Sequence, residues 1–88
     1  MNYYHYYERG NMSDRELIGQ GIRRALLRKG LTTTDLARRI GVGSSTVGKW
    51  VTSAAIPSPK NLRAVCVHLD VDETDLREGY PDFADDAA

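Results

Sequence analysis

The stretch TTTDLARRIGVGSSTVGKWVT, residues 32–52, decides the fold of this chain. It predicts two short helices that are joined by a tight glycine turn. Thr32 is a good N-cap for the first helix, and Asp35 places a carboxylate three residues later, near the positive end of the helix dipole. Gly41 suits the left-handed backbone conformation that commonly ends a helix. The pattern is therefore helix, turn, helix.

The second helix sorts its side chains by chemical type. Gly43 or Ser44 can cap it. At about 100° per residue, one arc is small, polar and cationic: Ser44, Ser45, Gly48, Lys49 and Thr52. The opposite arc is mostly apolar: Thr46, Val47, Trp50 and Val51. A helix that is anchored on one side and polar on the other suits the major groove of B-DNA, which admits an α-helix and displays hydrogen-bonding base edges.

The order of these residues is specific. Thr-x-x-Asp-Leu-Ala-x-x-Ile-Gly-Val-Gly-x-Ser-x-Val-x-x-Trp resembles the helix-turn-helix of the lambda-repressor/Cro-like (XRE-type) DNA-binding family. The resemblance is close from Thr32 to Thr52 and looser over about Ser13 to Glu78. It implies an all-α fold, a compact five-helix lambda-repressor-like DNA-binding domain that contains a helix-turn-helix.

Three further helices are expected around the motif. Their predicted N-caps are Ser13, Ser58 and Asp72. Ser13 and Glu16 form a capping-box pattern, and Gly30 ends the helix that follows. Within that helix, Gly21 lets another helix approach closely. We expect one domain over residues 13–79, a flexible extension over residues 1–12 and an acidic flexible tail over residues 80–88.

The charges are segregated along the chain although the formal net charge is zero. Residues 17–63 hold one acid, Asp35, and nine basic residues: Arg23, Arg24, Arg28, Lys29, Arg38, Arg39, Lys49, Lys60 and Arg63. Residues 64–88 hold eight acids and one base, Arg77. Charged helix faces are usually only solvated, but phosphates respond to local charge density. A basic block around the motif favours contact with nucleic acid.

The resemblance implies a set of DNA-binding residues. The family's base-contacting positions fall on Ser44, Ser45 and Lys49, and Gly48 allows close approach. Thr33 opens the preceding helix, where the family commonly touches phosphate. Thr52, Ser53 and Lys60 flank the far end and can grip the adjacent backbone. Basic charge comes from Arg23, Arg24, Arg38 and Arg39, and the sequence leaves open which of them face the strand.

The two ends of the second helix depart from the family pattern. Many relatives place Gln or Arg early in the reading helix, whereas Ser44 and Ser45 reach less far. Many relatives also end this helix with Glu-x-Gly, where residues 51–53 here are Val, Thr and Ser. We therefore expect weak direct readout at each half-site, with help from water or DNA shape. Binding to two half-sites about 34 Å apart would compensate, through a weak homodimer.

No catalytic or metal-binding pattern stands out. His5 lies in the extension, and His68 and the single cysteine, Cys66, lack the spacing of a zinc site. A core position explains Cys66 better than a catalytic thiol does. We expect no enzyme, no cofactor and no metal. No apolar run approaches the ~18 residues needed to span a bilayer, and the unpaired cysteine indicates a cytoplasmic protein.

Three functions are compatible with the sequence. The first is a phage or prokaryotic transcriptional regulator of the Cro/repressor type that binds operator DNA. The second is the antitoxin of a toxin–antitoxin pair, which also binds DNA and docks a basic toxin through its acidic C-terminal tail. The third is a protein-interaction module that has kept the fold and lost its affinity for DNA.

Overall fold

The computed structural model describes residues 12–80, and this part of the chain folds into five helices without strands. The helices are α1 (Asp14–Lys29), α2 (Thr33–Ile40), α3 (Ser44–Val51), α4 (Pro59–Leu69) and α5 (Glu73–Arg77). The predicted all-α, five-helix fold is confirmed. The extension predicted for residues 1–12 and the tail predicted for residues 80–88 lie outside the described residues, apart from Met12 and Tyr80.

The helices begin where the cap residues predict. The Ser13 hydroxyl accepts a hydrogen bond from the backbone N–H of Glu16, whose carboxylate accepts one from the N–H of Ser13 at 2.8 Å. Thr32 and Asp35 form the same reciprocal pair at the start of α2, at 3.1 and 2.9 Å. Ser58 caps α4, directly before a proline at the first helical position. Each cap satisfies backbone donors that the helix leaves without partners.

The turn of the helix-turn-helix depends on Gly41. Its φ of +79° lies in the left-handed region, which carries no Cβ penalty for glycine. The N–H groups of Gly41 and Val42 both donate to the carbonyl oxygen of Ala37, at 2.9 and 3.0 Å. The chain therefore leaves α2 abruptly, and only residues 41–43 separate α2 from α3.

Twelve buried apolar residues form one core: Ile18, Ile22, Ala25, Leu26, Leu36, Ala37, Val47, Trp50, Leu62, Val65, Leu69 and Leu76. Helix α1 is central and packs against α3, α4 and α5. A Cβ on Gly21 would collide with the carbonyl oxygen of Leu76, so this glycine admits α5 as predicted. None of the described helices has the length and apolar content to cross a membrane.

The packed region reaches one residue beyond the predicted boundary at residue 79. Tyr80, which the sequence assigned to the tail, packs against the core. Polar side chains of α1 hold the turn before it, since Gln20 and Arg24 both donate hydrogen bonds to the carbonyl oxygen of Gly79. The short helix α5 is thus attached to α1 through side chains as well as through its own apolar contact.

Candidate nucleic-acid interface

Helix α3 is divided into a buried and an exposed side as its sequence predicts. Val47 is completely buried and Trp50 is 3% exposed. Ser44, Ser45 and Lys49 are exposed. Because the tryptophan and valine fix the rotation of the helix about its axis, the polar side cannot turn inward without emptying the core.

Open space surrounds the middle of the exposed side. A Cβ built on Gly48 would have no atom within 4 Å, so the packing of this chain does not require a glycine there. The ammonium group of Lys49 makes no hydrogen bond or ion pair with the residues that the structure describes. The surface beside Gly48 can therefore be approached closely, and Lys49 is available to whatever approaches.

The N-termini of α2 and α3 both keep unused backbone donors. The capping box of α2 engages the N–H groups of Thr32 and Asp35. The N–H groups of Thr33 and Thr34, which lie between them, have no partner among the described residues. Gly43 offers no side-chain cap to α3, and the N–H groups of Ser44 and Ser45 are likewise unpaired there. Such helix ends favour anions, since N–H groups and the helix dipole point outward together.

The C-terminal end of α3 is engaged within the chain. Thr52, predicted as the last residue of the reading helix, is its C-cap, and its hydroxyl donates to the carbonyl oxygen of Gly48 at 2.8 Å. A phosphate contact through this hydroxyl hydrogen requires that bond to be broken. Ser53 is half-buried and adopts a left-handed φ of +66°. Its hydroxyl oxygen lies beside Gly19 of α1.

The predicted basic residues fall into two groups. Arg38 is 74% exposed and its only ion pair among the described residues is with Asp35, at 3.6 Å; Arg39 and Lys60 are exposed. Arg23 and Arg24, by contrast, each donate to backbone carbonyl oxygens of other helices or turns. Arg23 reaches the end of α3, whereas Arg24 reaches the turn after α5.

Sequence reasoning grouped Arg23 and Arg24 as basic charge and missed that difference. The available signal was the helical phase, because successive residues point about 100° apart. Only Arg23 lies on the α3 side of α1, where it can influence the proposed reading helix.

The single acidic residue of α2, Asp35, is held in its ionised form by its neighbours. The hydrogen bond from the backbone N–H of Thr32 lowers the pKa of Asp35, and the Thr32 hydroxyl, Arg38 and Arg39 act in the same direction. The carboxylate therefore stays ionised as a cap. Helix α2 still carries a net positive charge, because it holds two arginines, Arg38 and Arg39, against this one acid.

The described residues offer little catalytic chemistry. Burial raises the pKa of Cys66 to about 11, so its thiol stays protonated and is a poor nucleophile. His68 is exposed. No group of His, Cys, Asp or Glu side chains within residues 12–80 is arranged to hold a metal ion.

Comparison with known proteins places this geometry in a family. A family model described as helix-turn-helix matches residues 22–76, more than half of the chain, including all of α2, the turn and α3. The chain belongs to the lambda-repressor-like helix-turn-helix family. The resemblance of residues 32–52 is thereby confirmed.

One solved structure shares most of this helix-turn-helix fold. It is the clp gene regulator ClgR from Corynebacterium glutamicum, which superposes with a TM-score of 0.73 over 86% of this chain and 82% of its own. The two sequences are 25% identical. No curated protein sequence matches the chain significantly. Family membership supports a DNA-binding transcription regulator rather than an enzyme.

Proposed function

We propose that this helix-turn-helix protein is a sequence-specific regulator of the Cro/repressor type that binds double-stranded operator DNA in the cytoplasm of a prokaryotic or phage-infected cell. One observation carries the proposal. Helix α3 buries Val47 and Trp50 and presents Ser44, Ser45 and Lys49 outward beside the open position at Gly48. The ClgR likeness supports a regulatory role.

In this proposal α3 lies in the major groove, and Lys49 makes the main base contact. A lysine ammonium group suits the O6 and N7 acceptors of guanine. Ser44 and Ser45 have shorter side chains and contact bases only where the helix start meets the groove floor. Gly48 lowers the helix surface so that the groove can approach. With one long reading residue, DNA shape and bridging water contribute the remaining selectivity.

In this proposal most of the phosphate contacts come from α2, the helix that precedes α3. The free N–H group of Thr33 at the positive end of α2 binds one phosphate, and the exposed side chains of Arg38 and Arg39 add charge nearby. Lys60 and the Thr52–Ser53 turn flank the other end of α3. Arg23 and Arg24 donate to backbone carbonyl oxygens of their own chain and add positive potential near the DNA backbone without touching a phosphate.

Two copies of the chain would bind a pair of half-sites about 34 Å apart, one turn of the duplex. A weak homodimer that forms on DNA is sufficient for this arrangement. An antitoxin would bind DNA in the same way and would, in addition, dock a basic toxin through its acidic C-terminal tail.

The test is selection of DNA by the full chain from a pool of random duplexes, followed by a salt titration with the enriched duplex. We expect one sequence family to be enriched and the logarithm of the affinity to fall linearly with the logarithm of salt concentration. If the chain enriches no sequence and its DNA affinity hardly depends on salt, it is a protein-interaction module. If it enriches DNA and also neutralises a basic toxin encoded next to it, it is an antitoxin.

A further inference from the structure

The last carbonyl groups of α3 are all occupied, and one of them depends on another helix. The carbonyl oxygens of residues 48–50 accept hydrogen bonds from N–H groups in the turn that follows, residues 52–55. The carbonyl oxygen of Val51 instead accepts a hydrogen bond from the guanidinium of Arg23 in α1. A cationic side chain at this end also matches the negative end of the helix dipole.

One turn before Arg23, α1 carries a glycine, Gly19, that also faces the C-terminal end of α3. Gly19 is buried, and a Cβ built on it would lie 2.7 Å from both the carbonyl oxygen of Trp50 and the hydroxyl oxygen of Ser53. The end of α3 thus rests on the backbone of α1 with no spare room. We call Gly19 and Arg23 together the α1 seat.

We propose that the α1 seat sets the position of α3 in the groove, with Arg23 as a positioning residue for base recognition; this rests on the proposed function. Helix α3 has eight residues and is only about 12 Å long. Lys49 lies two residues before Val51, so a displacement at the seat moves Lys49 directly. Base contacts tolerate errors of only about 0.5 Å.

Positioning and phosphate contact by Arg23 have different consequences. A phosphate contact is independent of base sequence, so its loss weakens binding to every duplex by a similar factor and reduces the salt slope by about one. A shift of α3 weakens binding to the preferred duplex more than binding to other duplexes. The decisive quantity is therefore the ratio of affinities for the enriched duplex and for a scrambled duplex of equal length.

The first experiment compares Arg23→Met with Arg39→Met. Both variants remove one exposed arginine charge, but only the first removes a contact with the end of α3. Arg23→Met should lower the affinity ratio about tenfold, as expected when a base contact is lost. Arg39→Met should weaken binding to both duplexes equally and keep the ratio. A wild-type ratio in Arg23→Met overturns the proposal, and a salt slope reduced by about one then assigns Arg23 to a phosphate.

The second experiment disturbs the α1 seat without changing charge. Gly19→Ala pushes a Cβ against the end of α3, and Gly21→Ala pushes one against the carbonyl oxygen of Leu76 in α5. Both variants are measured below their own melting temperatures, with folding verified by circular dichroism. We expect Gly19→Ala to lose the affinity ratio at an unchanged salt slope, and Gly21→Ala to keep it.

The outcomes separate this inference from the proposed function. If Gly19→Ala keeps the ratio, or if Gly21→Ala loses it equally, the α1 seat has no specific effect on recognition and the inference is wrong. If the wild-type chain prefers no duplex, the proposed function fails first. That result appears in the wild-type selection before any variant is made.

Discussion

The guanidinium of Arg24 donates a hydrogen bond to the carbonyl oxygen of Gly79, with 3.1 Å between Nη1 and the oxygen. The carbonyl oxygen of Tyr80 lies at 3.4 Å from the same nitrogen. The neighbouring Arg23 instead donates to the carbonyl oxygen of Val51 at the end of α3. Helix α1 therefore holds two other elements through adjacent arginines, because consecutive side chains leave a helix about 100° apart.

Replacing Arg24 by Met should affect stability more than DNA binding. The variant loses the hydrogen bonds to the turn after α5, which should lower the free energy of unfolding by about 1 kcal/mol. Urea denaturation measures this change. The salt slope of DNA binding should stay near that of the wild type. Unchanged stability together with a shallower salt slope would instead assign Arg24 to a phosphate.

Replacing Lys49 by Ala should remove base selectivity. The Lys49 side chain is exposed and its ammonium group makes no hydrogen bond or ion pair with the described residues, so folding should be unaffected. The difference in binding free energy between the enriched duplex and duplexes in which a guanine of the site is replaced by another base should fall by about 1–3 kcal/mol. Lys60→Ala is the matched control, since it removes an exposed lysine from α4 and should weaken all duplexes alike. Equal behaviour of the two variants would remove Lys49 from its reading role.

Replacing Gly48 by Ala should separate stability from binding. An added Cβ meets no atom within 4 Å, and alanine favours the helix by about 0.5–1 kcal/mol relative to glycine. We expect a higher melting temperature and weaker binding to the enriched duplex, because the methyl group occupies space that the groove needs. Tighter binding in parallel with the higher melting temperature would show that DNA does not approach Gly48.

Replacing Ser53 by Gly should stabilise the chain. Ser53 holds a φ of +66°, a left-handed conformation that costs a non-glycine residue roughly 1–2 kcal/mol. Glycine relieves this strain but loses more backbone entropy on folding, so we expect a net gain of about 0.5–1 kcal/mol. Thermal and urea unfolding measure it. A loss of stability would show that the Ser53 hydroxyl packs usefully against Gly19.

Stability should decrease in acid because two caps require ionised carboxylates. Hydrogen bonds from the backbone N–H groups of Ser13 and Thr32 lower the pKa of Glu16 and of Asp35 below their ordinary values of 4.5 and 3.8. The caps therefore contribute fully above those values and are lost as the pH falls through the lowered pKa of each group. Urea unfolding across the range from about pH 5 to pH 2 measures the loss.

A double variant is the control for this pH dependence. Glu16→Gln with Asp35→Asn keeps the shape of both caps and removes their titration. Its free energy of unfolding should vary less with pH over the same acid range. If the double variant and the wild type lose stability in parallel, other carboxylates carry the acid dependence.

The fold was predictable because its signals are local. The reciprocal caps at Ser13 and Thr32 and the left-handed glycine at Gly41 each act over about one helical turn. The orientation of α3 was also predictable, since burying Trp50 and Val47 forces the intervening positions outward. Each signal points to the same five helices, and their agreement made the prediction secure.

The hydrogen-bond partners of the arginines could not be predicted from the sequence. Their charge is visible in the sequence, but Arg23 and Arg24 act on carbonyl oxygens that lie 28 and 55 residues further along the chain. Pairing over such distances depends on how the helices pack. The left-handed conformation of Ser53 is equally invisible, because serine ordinarily avoids it.

By itself the sequence determined where each helix starts, which side of α3 is buried and where positive charge is concentrated, because caps, periodicity and charge are properties of neighbouring residues. Only the tertiary structure decided that Gly19 and Arg23 hold the end of α3 while Arg24 holds the turn after α5. The physical reason is that close backbone approach and side-chain donation to distant carbonyl groups exist only after the helices have packed.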